Sequence, residues 1–189
     1  VSGTLRGVWG SAPNAVHAVG DSGTIARYDG TIWTKVSSGV TQTLHAVWGT
    51  GPKDVYAVGD GGRILHHDGT GWSKQTSPTS QPLYAVWGAG PGDVYAAGAQ
   101  GTVLHHDGKA WTKLSSVTTR TISALWGRGS SELYAIVGSD ILRRDGTGWQ
   151  MLESGTSNPL TSVWGAGTGA AARMFVAGYY GTILRRTPP

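Results

Sequence analysis

The sequence predicts an all-β fold, a five-bladed β-propeller, on three observations. A motif recurs at a fixed interval, each copy holds strand-like segments of about five residues, and glycine and proline are spaced too densely for helices. The tripeptide Val-Trp-Gly sets the register at Val8-Trp9-Gly10, Val47-Trp48-Gly49, Val86-Trp87-Gly88 and Val163-Trp164-Gly165, with Leu125-Trp126-Gly127 as the fourth copy. Successive tryptophans are 39, 39, 39 and 38 residues apart. A fixed period in this range marks a solenoid, a propeller or a similar array. Asp-Gly-x-x-Trp runs in step at Asp29–Trp33, Asp68–Trp72, Asp107–Trp111 and Asp145–Trp149, and a small-residue run ends at Gly20, Gly59, Gly98, Gly138 and Gly178.

The second copy shows the elements in order. Leu44–Trp48, Asp54–Val58, Arg63–His67 and Trp72–Thr76 are rich in β-branched and aromatic residues and are bounded by Gly, Pro, Asp or Ser, as strands are. With 31 Gly and 8 Pro in the chain, no long window keeps a helical apolar period free of breakers. Gly51-Pro52, Gly59-Asp60-Gly61-Gly62 and Asp68-Gly69 supply the tight connections, because Gly accepts positive φ and Asp bonds the backbone ahead of it. Both strand faces carry apolar residues, Tyr56 and Val58 against Val55 and Ala57. That suits a sheet with a neighbour on each side, and sheets packed face to face around an axis make a propeller.

The blades are expected at approximately residues 5–43, 44–82, 83–121, 122–159, and 160–189 together with 1–4, in a single domain whose last sheet meets its first. Copy four is one residue short at Gly138-Ser139-Asp140. Copy five carries three extra residues between Ala166 and Met174 and runs to Thr187-Pro188-Pro189 without a further Asp-Gly-x-x-Trp, so the last blade is expected to lack its outer strand. A chain starting at Val suggests a mature or excised fragment, so the missing signal peptide says little about export.

The residues L-x-x-V-W-G, A-V-G-D-x-G-x-I-L and D-G-x-x-W resemble the Asp-box, or BNR-type, repeat propellers, among them the photosystem II assembly-factor-like repeats and bacterial Val-Trp-Gly repeat proteins. The resemblance covers nearly the whole chain and is specific for fold. It implies a function among lectins, glycosidases and assembly factors. One departure is that Arg27, His66, His105 and Arg143 stand two residues before the Asp, where the usual box has Ser or Thr.

Composition narrows the classes further. At 189 residues the chain can bury a core, and with 39% hydrophobic and 14% charged residues it is not of disordered type. All nine Trp fall at repeat positions, which points to packing between blades ahead of a sugar platform. There is no Cys, so neither disulfides nor thiolate chemistry exist, and no apolar run approaches membrane-spanning length. The net charge of +4 comes from cations spread over the copies, which reads as a solvated surface and not as a nucleic-acid footprint.

The sequence offers little catalytic asymmetry. His66-His67 and His105-His106 are adjacent strand residues that point to opposite faces, so neither pair chelates a metal from one side. Every acid but Glu153 occupies a repeat or turn position, so no pair of carboxylates is singled out for glycoside hydrolysis. Nucleophile elbows and dinucleotide fingerprints are absent, and no helix follows Gly59–Gly62 to make it a phosphate loop.

Binding is what remains. Arg6, His45, Tyr84, Ser123 and Thr161 follow the leading apolar residue of each first strand, and they vary while their neighbours hardly do. Asp21, Asp60, Gln100, Ser139 and the pair Tyr179-Tyr180 occupy the second-to-third turns, expected at the same end. Variable polar and aromatic side chains on a regular scaffold suit recognition. Of these, Arg6, His45, Tyr84, Asp21, Asp60, Gln100, Tyr179 and Tyr180 are the ligand-binding candidates. The expectation is a non-enzymatic module, secreted, periplasmic or on the cell surface, with carbohydrate as its first ligand class. A protein-interaction scaffold and a glycosidase remnant are the alternatives. No cofactor, metal, nucleic acid or membrane insertion is expected, and the chain is monomeric or associates through its incomplete last blade.

Overall fold

The computed structural model describes residues 3–146, 148–166 and 173–186. Among the described residues nineteen strands form five antiparallel sheets. The first holds β1 (Leu5–Ala12), β2 (Ala15–Gly20), β3 (Ile25–Tyr28) and β4 (Trp33–Val36). The second holds β5 (Leu44–Gly51), β6 (Asp54–Gly59), β7 (Arg63–His67) and β8 (Trp72–Lys74). The third holds β9 (Leu83–Gly90), β10 (Asp93–Gly98), β11 (Val103–His106) and β12 (Trp111–Lys113). The fourth holds β13 (Ala124–Gly129), β14 (Glu132–Val137), β15 (Asp140–Arg144) and β16 (Trp149–Leu152). The fifth has three strands, β17 (Leu160–Ala166), β18 (Arg173–Gly178) and β19 (Ile183–Arg186). Each sheet is an up-and-down meander, and β1, β5, β9, β13 and β17 pack in succession, so the first strands line the inside. This is the five-bladed propeller architecture with a fifth blade lacking its outer strand. The extra residues of copy five and the closing Thr187-Pro188-Pro189 lie outside the described residues.

Four apolar layers hold the blades together, each built from the forward face of one sheet and the rear face of the next. Tyr56, Val58 and Ile64 of the second sheet pack on Leu83, Val94, Ala96 and Leu104 of the third, and the other junctions use the equivalent positions. The Val-Trp-Gly motif is the joint. A Cβ added to Gly49 would stand 2.9 Å from Trp9 Cη2, one on Gly88 2.5 Å from Trp48, and one on Gly127 2.7 Å from Trp87; Gly165 meets Trp126 in the same way. Each indole therefore seats on the bare backbone of the next copy's motif, so the glycine is required by the tryptophan of the preceding blade.

Two expectations are corrected. Among the described residues the last sheet does not meet the first: no packing comparable to the four junctions joins them. The rear face of the first sheet leaves Val8 68% exposed, with Leu5 and Trp33 also exposed, and the forward face of the fifth leaves Trp164 at 61% and Ile183 at 75%. Trp33 and Trp164 are therefore indoles at packing positions that no other sheet covers among the described residues. Thr4 runs with the first sheet and not the fifth, since its carbonyl accepts the Asp21 N–H at 3.0 Å.

Candidate functional site

The inner rim at one end of the sheets gathers the variable residues, and a backbone irregularity puts them there. Strand pairing shifts by one residue between Leu5 and Gly7, between Leu44 and Ala46, between Leu83 and Ala85, and between Leu160 and Ser162. The residue left over is Arg6, His45, Tyr84 or Thr161. A bulge residue escapes the ladder and re-aims its side chain. Ser123 precedes β13, and its N–H donates to the Ile136 carbonyl at 2.9 Å.

The second-to-third turns reach the same rim. Asp21–Gly23, Asp60–Gly62 and Ala99–Gly101 are single 3₁₀ turns. They are anchored to the chain entering the first strand: Asp60 N–H donates to Thr43 O at 2.9 Å, Ala99 to Pro82 O at 2.9 Å and Tyr179 to Pro159 O at 2.8 Å. The preceding Gly20, Gly59, Gly98 and Gly178 leave no room for a Cβ against that same carbonyl, which explains the glycine closing four of the five small-residue runs; Gly138, closing the other, is at φ 63° beside the Arg120 side chain. The second turn residue lies in the left-handed region, and three copies place a non-glycine there: Ser22 and Gln100 at φ 53° and Tyr180 at φ 56°. That conformation costs on the order of 1–2 kcal/mol for an L-residue, so these side chains are held on the rim at a cost to stability.

Several predicted residues are brought together. Arg6 Nε donates to Asp21 Oδ1 at 2.6 Å, and His45 Nε2 bonds Asp60 Oδ1 at 2.7 Å. The imidazole of His45 lies 4.9 Å, centroid to centroid, from the Tyr84 ring of the next sheet. The hydrogen bond from Arg6 holds the Asp21 carboxyl below its ordinary range, and Asp21 raises Arg6 in return. Arg6, Asp21, His45, Asp60 and Tyr84 thus form one track across three blades. Gln100 sits at the tip of the third turn, while Tyr179 and Tyr180, 6.4 Å apart and both exposed, form a separate aromatic end on the fifth sheet. Sequence reasoning missed Arg120. In the shortened fourth copy it fills the turn, donating to Asp140 Oδ2 at 2.6 Å and to Val137 O at 3.0 Å. The only signal was the coincidence of the deletion with an arginine one blade boundary away.

The histidine pairs are split as strand geometry requires. His66 and His105 face Asp54 and Asp93 at 2.7 and 2.8 Å and stack on Tyr56 and Tyr95. In the fourth copy Glu132 accepts from Tyr134 at 2.7 Å and from Arg143 at 3.4 Å. Burial and the adjacent carboxylate push all three tyrosines up to about 12. Where the acid is absent, at Ala15 and Arg173, the tyrosine is replaced by His17 and Phe175. These trios are internal to their blades and away from the rim. The Asp29, Asp68 and Asp107 turns lie at the opposite end, each carboxylate accepting two backbone N–H groups. Among the described residues no group of three or more His, Cys, Asp or Glu converges as metal ligands would, and no helix is long and apolar enough to cross a membrane.

No family model and no curated protein matches the chain. Among solved structures it is similar to YCF48 from Cyanidioschyzon merolae, 17% identical with a TM-score of 0.77 over 99% of this chain and 68% of that one. It is also similar to YCF48 bound to D1 peptide, 20% identical with a TM-score of 0.73 over 98% of this chain and 64% of that one. At these identities the likeness is one of β-propeller fold, and the chain spans about two thirds of the length of each, 68% and 64%.

Proposed function

We propose that the protein is a non-enzymatic interaction module whose inner rim binds a protein partner, an extended polar peptide segment above all. The observation that carries this reading is the bulge. One backbone position presents Arg6, His45, Tyr84 and Thr161 in the first, second, third and fifth blades, with the core residues around it almost invariant. A track of different side chains, two of them pinned by the turns of their own sheets (Arg6 by Asp21, His45 by Asp60), suits a sequence of side chains and backbone groups better than one repeated sugar. A propeller of the same fold has been solved with a peptide bound, which supports the same choice.

Carbohydrate takes second place. A sugar platform would draw on indoles, yet the exposed tryptophans, Trp33 and Trp164, stand on the end faces and not on the rim. The glycosidase reading is weaker again. A general acid needs a raised pKa, and Asp21 is shifted the other way by Arg6. Export to the periplasm or cell surface is part of the proposal; recovery of the protein only from the cytoplasmic fraction would remove that part.

The test is capture of a partner by the wild type, by a rim variant (Arg6→Ala, His45→Ala, Tyr84→Ala) and by a control at the opposite end (Thr70→Ala, Lys109→Ala). One stoichiometric protein should be retained by wild type and control and lost by the rim variant. Retention by the rim variant contradicts the rim. Saturable binding to a glycan array, lost with the same three changes, would replace the protein reading by the lectin one.

A further inference from the structure

We propose that the cleft between the first and second blades binds a phosphate monoester, with Arg63, Lys35 and Lys74 as its cations. The first observation is a break in the repeat. The residue just before the first core position of each third strand is Thr24, Arg63, Thr102, Asp140 and Thr182 in the five copies. Thr24 and Thr102 are buried, Thr182 accepts a hydrogen bond from Asn158 Nδ2 at 2.8 Å, and Asp140 is paired with Arg120. Arg63 is the one cation of this series. Its Nε is shut off from solvent without an acceptor, and no carboxylate among the described residues pairs with its guanidinium. Threonine serves the fold at this position in three copies, so packing does not ask for the arginine. A partly desolvated guanidinium without an anion is a cost to stability.

The second observation is what surrounds Arg63. It lines an open cleft of about 420 Å³ together with Lys35 of β4, Lys74 of β8 and the hydroxyl residues Ser22, Ser37 and Thr41. No Asp or Glu lines this cleft. A similar cleft of about 430 Å³ at the third blade repeats the turn and the loop, with Gln100 and Lys113–Ser116, but its lining carries a single cation, Lys113. The second sheet supplies the two further cations at the first cleft. Arg63 stands where the fourth sheet has Asp140, and Lys74 where it has Met151.

Three cations with no counter-charge exceed what one carboxylate neutralises and suit an oxyanion of two charges. A phosphate monoester carries about −1.5 to −2 at pH 7 and offers three acceptor oxygens. The planar guanidinium can take two of these side by side, and the ammonium groups add point charges. Because the cleft is open to solvent, the carbon substituent of the ester can stay outside it. None of the lining residues belongs to the track of Arg6, Asp21, His45, Asp60 and Tyr84, so the assignment does not rest on the rim.

The experiment is titration calorimetry of the whole chain with capped phosphoserine, glycerol 3-phosphate and acetate at one ionic strength. The proteins are the wild type, Arg63→Thr and Lys74→Met, each change copying a residue that another blade uses at the same place. The wild type should bind both esters at one site and acetate far more weakly. Arg63→Thr should weaken ester binding about tenfold or more, and Lys74→Met several-fold, while both melt no lower than the wild type. A preference for capped phosphoserine assigns the ester to a modified protein, and a preference for glycerol 3-phosphate to a small molecule or lipid headgroup. Ester binding unchanged in both variants overturns the proposal. So does a wild type that binds neither ester, or one that binds acetate as tightly.

Discussion

At the scale of single residues the buried imidazole of His17 has the clearest consequence. It occupies the position held by Tyr56, Tyr95 and Tyr134 elsewhere, and burial together with His67 pushes it down to about 4. His67 and His106 are also lowered, first by burial. An unfolded histidine titrates near 6.5, so the unfolded chain binds protons that the folded one refuses. Stability is then greatest above about 6.5 and falls as the pH drops toward about 4. His17→Phe, which copies Phe175 at the position lacking an acid, should remove about 2 kcal/mol of that loss. Urea midpoints of wild type and variant at pH 7 and pH 5 measure it. The gap between the two should widen by that amount from pH 7 to pH 5; a constant difference at both would mean that His17 does not titrate. The pairing of Tyr with an acid two residues before it was legible in the sequence. The burial that depresses His17 was not, since it depends on Trp72 and His67 of the next blade.

At the scale of elements the strand segments and turns were readable because each copy repeats the same alternation and the same Gly and Asp-Gly stops. β5, β6 and β7 begin at the residues the sequence marks, and β7 ends there too. The bulge was not readable as a bulge: an extra residue leaves no compositional mark, and only the variability of Arg6, His45 and Tyr84 pointed to it. Nor was the reason for the motif's glycine visible, because the indole it accommodates comes from 40 residues earlier in the chain at three junctions and 39 at the fourth. That reason makes a prediction. Gly88→Ala forces a methyl against Trp48 and should cost about 1–3 kcal/mol. Gly51→Ala, with nothing within 4 Å of its Cβ, should change stability by less than about 0.5 kcal/mol. Denaturant unfolding of the two variants decides it; equal costs would mean that the indole yields and the seat is not a joint.

At the scale of the whole molecule the period foretold five packed sheets with a three-stranded last one, but not that the first and last faces stay apart. Repetition fixes what each blade presents to its neighbour, and the number of blades that closes a ring depends on the angle between sheets, which no motif encodes. The same repetition separates three surfaces: an inner rim where the copies differ, an opposite end of Asp-Gly turns where they agree, and two open faces. Function is assigned to the rim because it is the surface on which successive copies present different side chains at one backbone position. The most direct test is amide hydrogen exchange of the protein alone and saturated with its captured partner. Protection should appear at residues 5–7, 44–46 and 83–85 and in the turns at 20–24, 59–63 and 98–102. Protection confined to β8, β12 or the turns at 68–71 and 107–110, with the rim unchanged, would contradict the account.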